Sequence, residues 1–261
     1  MSTLDTRAEY NLAELLSCAA SRFLEDNRAV LVGTGLPVIA AMLAQRTHAP
    51  HILIIFEAGG VGPQVPVLPI SVGDSRTFYK AVAATSMHDV MSAAQAGYID
   101  YGFLGAAAID AYGNINTTVI GDWERPKARL PGSGGGNDVG SFCWQTFYIM
   151  RNQSKRTFMK KLDFVTTPGW LGGPGQREQA GLPAGGGPCR VITQLGVYGF
   201  DENTKRLKLS SLHPGVTVEQ VQANSEFEIL IPEQVSVTQP PTAEERRILR
   251  EIDPTGMVIG K

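Results

Sequence analysis

The sequence predicts an α/β fold with an open, mainly parallel sheet and helices on both faces. Three observations carry that prediction. The runs Ala29–Val32 and Ile52–Phe56 are short, continuous, apolar and rich in β-branched residues, as strands covered on both faces are. A helical stretch, Val38–Gln45, lies between them, which gives the strand–helix–strand alternation of a parallel sheet. Both runs stop abruptly at small residues, Gly33-Thr34-Gly35 after the first and Ala58-Gly59-Gly60 just beyond Glu57 in the second.

Each element has a local reason. From Ala8 to Leu24, apolar side chains at Leu12, Leu15, Leu16, Ala19, Ala20, Phe23 and Leu24 recur at helical spacing, and Thr6 with Glu9 has the capping-box pattern. Pro37 suits the first turn of the next helix, where a missing N–H costs nothing. Val61 to Ser75, rich in Pro and Gly, reads as an ordered loop over the strand ends. Ser86 with Asp89 starts a helix that runs to Ala96, and Tyr98 to Leu104 is the next strand. Tyr112-Gly113-Asn114 is a turn between two short strands. Thr146 to Met150 is a strand, and two glycine-rich segments, 169–175 and 182–188, lack regular structure and read as either a functional covering loop or a partner contact. Arg190–Leu195, Val197–Phe200 and Arg206–Leu209 form a β meander turning through residues 201–205. Thr217–Ala223 is a short helix, Phe227–Ile231 a strand, and Thr242–Ile252 a last helix capped by Thr242 with Glu245.

Composition removes several function classes. The 261 residues carry a net charge of −2 with no basic block, which gives no footing for nucleic acid. Three widely spaced cysteines, Cys18, Cys143 and Cys189, form no C-x-x-C pair, so neither a disulfide framework nor a metal cage is expected, and each reads as a small buried hydrophobe. The four histidines share no motif spacing. No run approaches the ~18–20 apolar residues of a membrane span, and Met1–Asp5 lacks the basic start of a signal peptide. A soluble, cytoplasmic setting is therefore expected. The low charge, 18% of residues, together with 29 Gly and 16 Pro, suggests a surface partly buried against another subunit.

Two stretches carry chemistry. Glu57 stands at the carboxyl end of a buried strand, where ligands of open α/β sheets bind, and the glycines beyond it would let a ligand approach the backbone. The run Pro131-Gly132-Ser133-Gly134-Gly135-Gly136 is nearly bare of side chains, so its exposed groups are N–H donors of the kind that form anion sites or oxyanion holes. A different reading takes Gly33, Gly35 and Glu57 as a dinucleotide-binding outline, and hence a nicotinamide-dependent oxidoreductase. The fingerprint's third glycine is absent, Val38 standing in its place.

Beyond these stretches, Gly33-Thr34-Gly35-Leu36-Pro37, Ile109-Asp110-Ala111-Tyr112-Gly113-Asn114, Gly121-Asp122, Pro126-Lys127, Thr167-Pro168-Gly169-Trp170 and Glu251-Ile252-Asp253-Pro254 complete a pattern. The chain resembles the β subunits of the glutaconate CoA-transferase group, within the class I CoA-transferases. The resemblance implies one β-subunit domain over residues 1–261, paired with an α subunit. It implies that Glu57 is the nucleophile, forming a glutamyl-CoA thioester, and that N–H groups near Gly135 accept the oxyanion. Gly134, Gly136, Ala58 and Gly59 join it as oxyanion or CoA-binding positions. CoA enters as substrate, and no metal or permanently bound cofactor is implied. A short, dicarboxylic acyl group follows by analogy. Gly136 stands where the family typically has alanine. Decarboxylases and ring-opening hydrolases of CoA thioesters share the fold and remain the alternative activity, and a non-enzymatic scaffold subunit is a third reading. The hydrolase and decarboxylase branches have typically lost the glutamate that is present here.

Overall fold

A computed structural model describes residues 10–260. Its central feature is a ten-stranded sheet whose middle is parallel. Along the chain come α1 (Leu12–Ser21), β1 (Ala29–Val32), α2 (Leu36–Arg46), β2 (Leu53–Phe56), β3 (Gly60–Val61), β4 (Ala83–Ala84), α3 (Met87–Gln95) and β5 (Tyr101–Gly105). Two hairpins follow, β6 (Ala108–Ile109) with β7 (Ile115–Asn116), and β8 (Val119–Gly121) with β9 (Pro126–Arg129). The remainder is α4 (Gly136–Phe142), β10 (Gln145–Ile149), α5 (Gln176–Gln179), β11 (Gly187–Ile192), β12 (Gly196–Phe200), β13 (Leu207–Leu212), α6 (Val218–Ala223), β14 (Ser236–Val237) and α7 (Ala243–Ile252). The strand order is β14-β13-β12-β11-β10-β5-β1-β2-β3-β4. Strands β11, β10, β5, β1 and β2 run parallel, and antiparallel strands flank them on both sides.

Helices cover both faces, because alternate residues of each central strand point opposite ways. Val30, Val32, Ile54, Phe56 and Phe103 pack under α1, α2 and α7 on one face. Leu31 and Ile55 face the other way, toward Val90 and Ala94 of α3 and Val139 of α4. A third cluster, around Tyr148, Tyr198 and Leu207, is roofed by the β6–β7 hairpin, Phe158 and Val221 of α6.

Local capping fixed most helix starts. Ser86 with Asp89, Thr217 with Gln220, and Thr242 with Glu245 each form a capping box. The first helix is shorter than its apolar spacing suggested. It begins after Asn11, whose side chain accepts the N–H of Glu14 while Glu14 returns the bond. Thr6 and Glu9 lie outside the described residues. A second correction concerns Phe227–Ile231. That stretch is not a strand; only Leu230 bridges to Lys208, and the edge strand is β14, beside Ser211 and Leu212. Its apolar residues are consumed in packing instead, with Ile229 buried against the third cluster. Of the irregular glycine segments, the second ends in β11, and the one-turn helix α5 lies between the two.

Cys18 and Cys143 are buried and Cys189 is half-buried, and burial pushes the Cys143 thiol up to about 12. No helix among the described residues is long and apolar enough to cross a membrane.

His213 is buried behind β12 and β13, with its Nε2 2.7 Å from the Thr193 carbonyl oxygen. Burial pushes its imidazole down from 6.5 to about 4. The unfolded chain therefore takes up this proton at a higher pH than the folded one does. The contribution is whole above about pH 6.5 and is lost as pH falls toward 4, on the order of 3 kcal/mol in all. Melting midpoints recorded from pH 7.5 to 4.5 should fall more steeply in the parent than in His213→Gln, which cannot titrate.

Candidate active site

The parallel register levels the strand ends. Val32 pairs with Phe56 of β2 and with Phe103 of β5, so Gly33, Glu57 and Leu104 follow at one height, β1 and β2 ending there while β5 runs on to Gly105. On the α3–α4 face of this edge lies a hollow of about 120 Å³ lined by Glu57, Val32, Leu104, Met91 and the glycine run Gly134–Gly136. Glu57 is half-buried, and its carboxylate has no hydrogen-bond or ion-pair partner among the described residues. The other lining residues are uncharged.

Gly135 shows how closely the two stretches meet. A methyl group built on it would lie 3.0 Å from Glu57 Oε1, 3.1 Å from Glu57 Cδ and 2.6 Å from the Met91 methyl carbon. The carboxylate therefore rests against bare backbone, 78 positions away in sequence. The glycine run is tied down by hydrogen bonds at its C-terminal end. It ends in the first turn of α4, where Gly136 N–H donates to the Ser133 carbonyl and Asn137 N–H to Ser133 Oγ. Those of Gly134 and Gly135 have no partner among the described residues, nor has that of Ala58.

Two of the expected donors are otherwise committed. Gly136 N–H is bonded as described, and Gly59 N–H donates to the Phe56 carbonyl at 2.9 Å. Gly59 and Gly60 do not leave room for a ligand, because this chain fills that space itself. A Cβ on Gly59 would come within 2.1 Å of the Thr85 carbonyl oxygen, and one on Gly60 within 2.1 Å of the Thr77 oxygen. Both glycines let β3 and its neighbours close on the turn after Glu57. Gly33 and Gly35 also have local work: Gly33 N–H donates to the Phe103 carbonyl, and Gly35, at φ 78°, caps α2.

Helix α4 is held by a residue the sequence did not single out. Arg177 is fully buried, and its Nη1 donates to the carbonyls of Pro168 and Gly169. Its Nη2 donates to those of Gly140 and Ser141, near the C-terminal end of α4, where a cation is favoured. Thr167 Oγ1 donates to the Gly136 carbonyl, and Asn137 Nδ2 to that of Thr166. The Asp110–Asn114 turn anchors this bracket. Asn114 Oδ1 accepts the N–H groups of Gly169 and Leu171, while Asp110 accepts those of Tyr112 and Asn114. Nothing local marks Arg177, which sits in the polar string Gln176-Arg177-Glu178 and reads as surface.

A larger hollow, about 230 Å³, opens at the opposite edge beside Trp144, Trp170 and Arg190. What sets the smaller hollow apart is not its volume but an unpaired carboxylate resting against a segment with unpaired N–H groups.

The family model for coenzyme A transferases matches residues 13–224. The chain belongs to that family. It is 41% identical to the B subunit of the 3-oxoadipate CoA-transferase of Pseudomonas knackmussii, over 94% of each chain. The crystal structure of the glutaconate CoA-transferase of Acidaminococcus fermentans superposes with a TM-score of 0.91 at 36% identity, covering 96% of this chain and 98% of that one. A more distant relative, 30% identical over 85% of this chain and 83% of its own, is the IpdB subunit of a cholesterol ring-cleaving hydrolase from Rhodococcus jostii. The expected fold, and CoA transfer as the enzyme class, are thus both found.

Arg177→Met should remove four hydrogen bonds at once and leave their carbonyls unpaired. Urea denaturation should show a loss on the order of 3–5 kcal/mol, with Arg177→Lys in between.

Proposed function

We propose that this chain is the glutamate-bearing subunit of a CoA-transferase that moves CoA from a short dicarboxylic acyl-CoA to a carboxylic acid through a thioester on Glu57. The observation that carries this reading is the contact of an unpaired Glu57 carboxylate with a glycine run whose Gly134 and Gly135 N–H groups are unpaired. A carboxylate is a weak nucleophile, so positioning and charge stabilisation must supply most of the rate. Glu57 oxygen attacks the thioester carbonyl, and the N–H groups at Gly134 and Gly135 take the oxyanion that develops. Collapse expels CoA thiolate and leaves an acyl-glutamyl anhydride. The thiolate then attacks the Glu57 carbonyl carbon, releasing the donor carboxylate and forming the glutamyl-CoA thioester. An acceptor carboxylate repeats both steps in reverse. CoA is a substrate throughout, and no permanently bound cofactor or metal takes part.

The dicarboxylic preference rests on the relatives named for 3-oxoadipate and glutaconate. A partner α subunit completes the site. The similarity to a B subunit supports this, as does a hollow of about 120 Å³, well below the roughly 300–1,000 Å³ of small-ligand sites. An apolar trough of about 340 Å³ between β2, β3 and α3 adds to it, because Val82 and Tyr98, near its rim, are 79% and 76% exposed. The domain spans residues 1–261, and its setting is the cytoplasm.

The test incubates the chain and its partner with acyl-CoA and looks for a CoA adduct on the Glu57 peptide by mass spectrometry. Transfer predicts the adduct, and its absence, with acid and CoA released by water, would establish a hydrolase instead. Glu57→Gln should lose at least about 10³-fold in kcat. Gly135→Ala should lose about 10–100-fold through the contacts above while its melting midpoint moves little.

A further inference from the structure

The β8–β9 hairpin is a motif whose Gly121-Asp122 and Pro126-Lys127 the chemistry above leaves unused. It is continuous with the glycine run. Beyond β9 the ladder goes on, Leu130 N–H donating to the Thr118 carbonyl and Gly132 N–H to that of Thr117, while Thr117 Oγ1 donates to the Gly132 carbonyl. The hairpin and the loop facing Glu57 are therefore one ribbon.

Its surface combines exposed aromatic and basic side chains. Trp123 and Phe164 stack with centroids 5.2 Å apart and planes 23° from parallel, yet Trp123 is 49% exposed and Phe164 36%. The Arg129 guanidinium lies over the Trp123 ring, 4.4 Å from its centroid, and its Nη2 donates to the Trp123 carbonyl. Arg125, Lys127 and Arg129 are all exposed, and none has an ion-pair partner among the described residues. The nearby acids do not neutralise them. Asp122 caps the N–H groups of Glu124 and Arg125, Asp163 accepts that of Gly121, and Glu124 is exposed at the tip without an ion pair.

We infer that the β8–β9 hairpin holds the nucleotide end of CoA, with adenine stacked on the Arg129–Trp123 platform and its phosphates met by Arg125 and Lys127. This inference rests on the proposed CoA chemistry at Glu57. A guanidinium held over an indole can offer its other side to a purine, and bases stack on guanidinium planes as well as on aromatic rings. The ligand that reacts at Glu57 carries an adenine and several phosphate charges at its far end. Arg129 and Gly135 are six positions apart, at most roughly 20 Å of extended chain, a gap that a flexible pantetheine spacer suits. Screening of the phosphate contacts makes the attraction salt-dependent.

The test measures binding of CoA and of pantetheine, which lacks the nucleotide, to the chain together with its α-subunit partner. Both are read by competition against acyl-CoA turnover and, for CoA, by calorimetry. The variants are Trp123→Leu and the triple Arg125→Ala/Lys127→Ala/Arg129→Ala, checked for melting midpoint and for partner association. The expected result is a CoA dissociation constant raised at least about tenfold in the triple variant, a flatter dependence on NaCl, and an unchanged inhibition constant for pantetheine. Three results would overturn the inference: unchanged CoA affinity, equal weakening of CoA and pantetheine, or loss of the partner subunit. Where the Glu57 adduct still forms in any of these, the transferase reading stands without it.

Discussion

Everything at the candidate site depends on a carboxylate being held against main chain that carries no side chain. The contact between Glu57 and Gly135 joins an element that ends β2 to one that begins α4, and neither holds the other directly. Common register among β5, β1 and β2 sets the height of Glu57. The bracket of Arg177, Thr167 and Asn137 sets the height of the glycines. If either support shifted by an ångström, the contact between the Glu57 carboxylate and Gly135 would be lost.

Supporting α4 with a buried cation is costly in solvation. Burial lowers the pKa of the Arg177 guanidinium from its usual value, Tyr148 and Glu178 offset this only in part, and no carboxylate is ion-paired with it among the described residues to compensate. Four carbonyl acceptors do so instead, two of them near the negative end of α4. Such a group ties segments together rather than simply adding stability. It joins the loop at Pro168 to α4, and through Asn114 that loop is joined to the β6–β7 hairpin. The motifs shared with the family at 109–114 and 167–170 are therefore the frame of the site rather than its reactive surface.

Glycine does two opposite jobs within a short distance. At Gly59 and Gly60 the missing side chain is replaced by this protein's own backbone, which closes the turn after Glu57. At Gly134 and Gly135 the main chain keeps N–H groups without a partner among the described residues, and at Gly135 the missing side chain lets Glu57 approach. Composition reports both as the same residue, so the sequence could suggest an open approach at each but could not tell which was already occupied.

What the sequence determined by itself was local. Alternation of apolar runs with helical spacing named the fold class, and capping residues within one turn of a helix start placed α3 and α7, since those bonds form between neighbours. Asn11, with Glu14 three residues on, carries the same kind of signal. Glu57 and the glycine run were also legible, as a charge and a bare segment out of keeping with their surroundings. Only the tertiary structure decided that they meet, that Arg177 lies inside, and that Phe227–Ile231 packs without joining the sheet. Those outcomes depend on which distant surfaces close on one another, and burial of a side chain or pairing of a strand is settled by its partners rather than by its own chemistry.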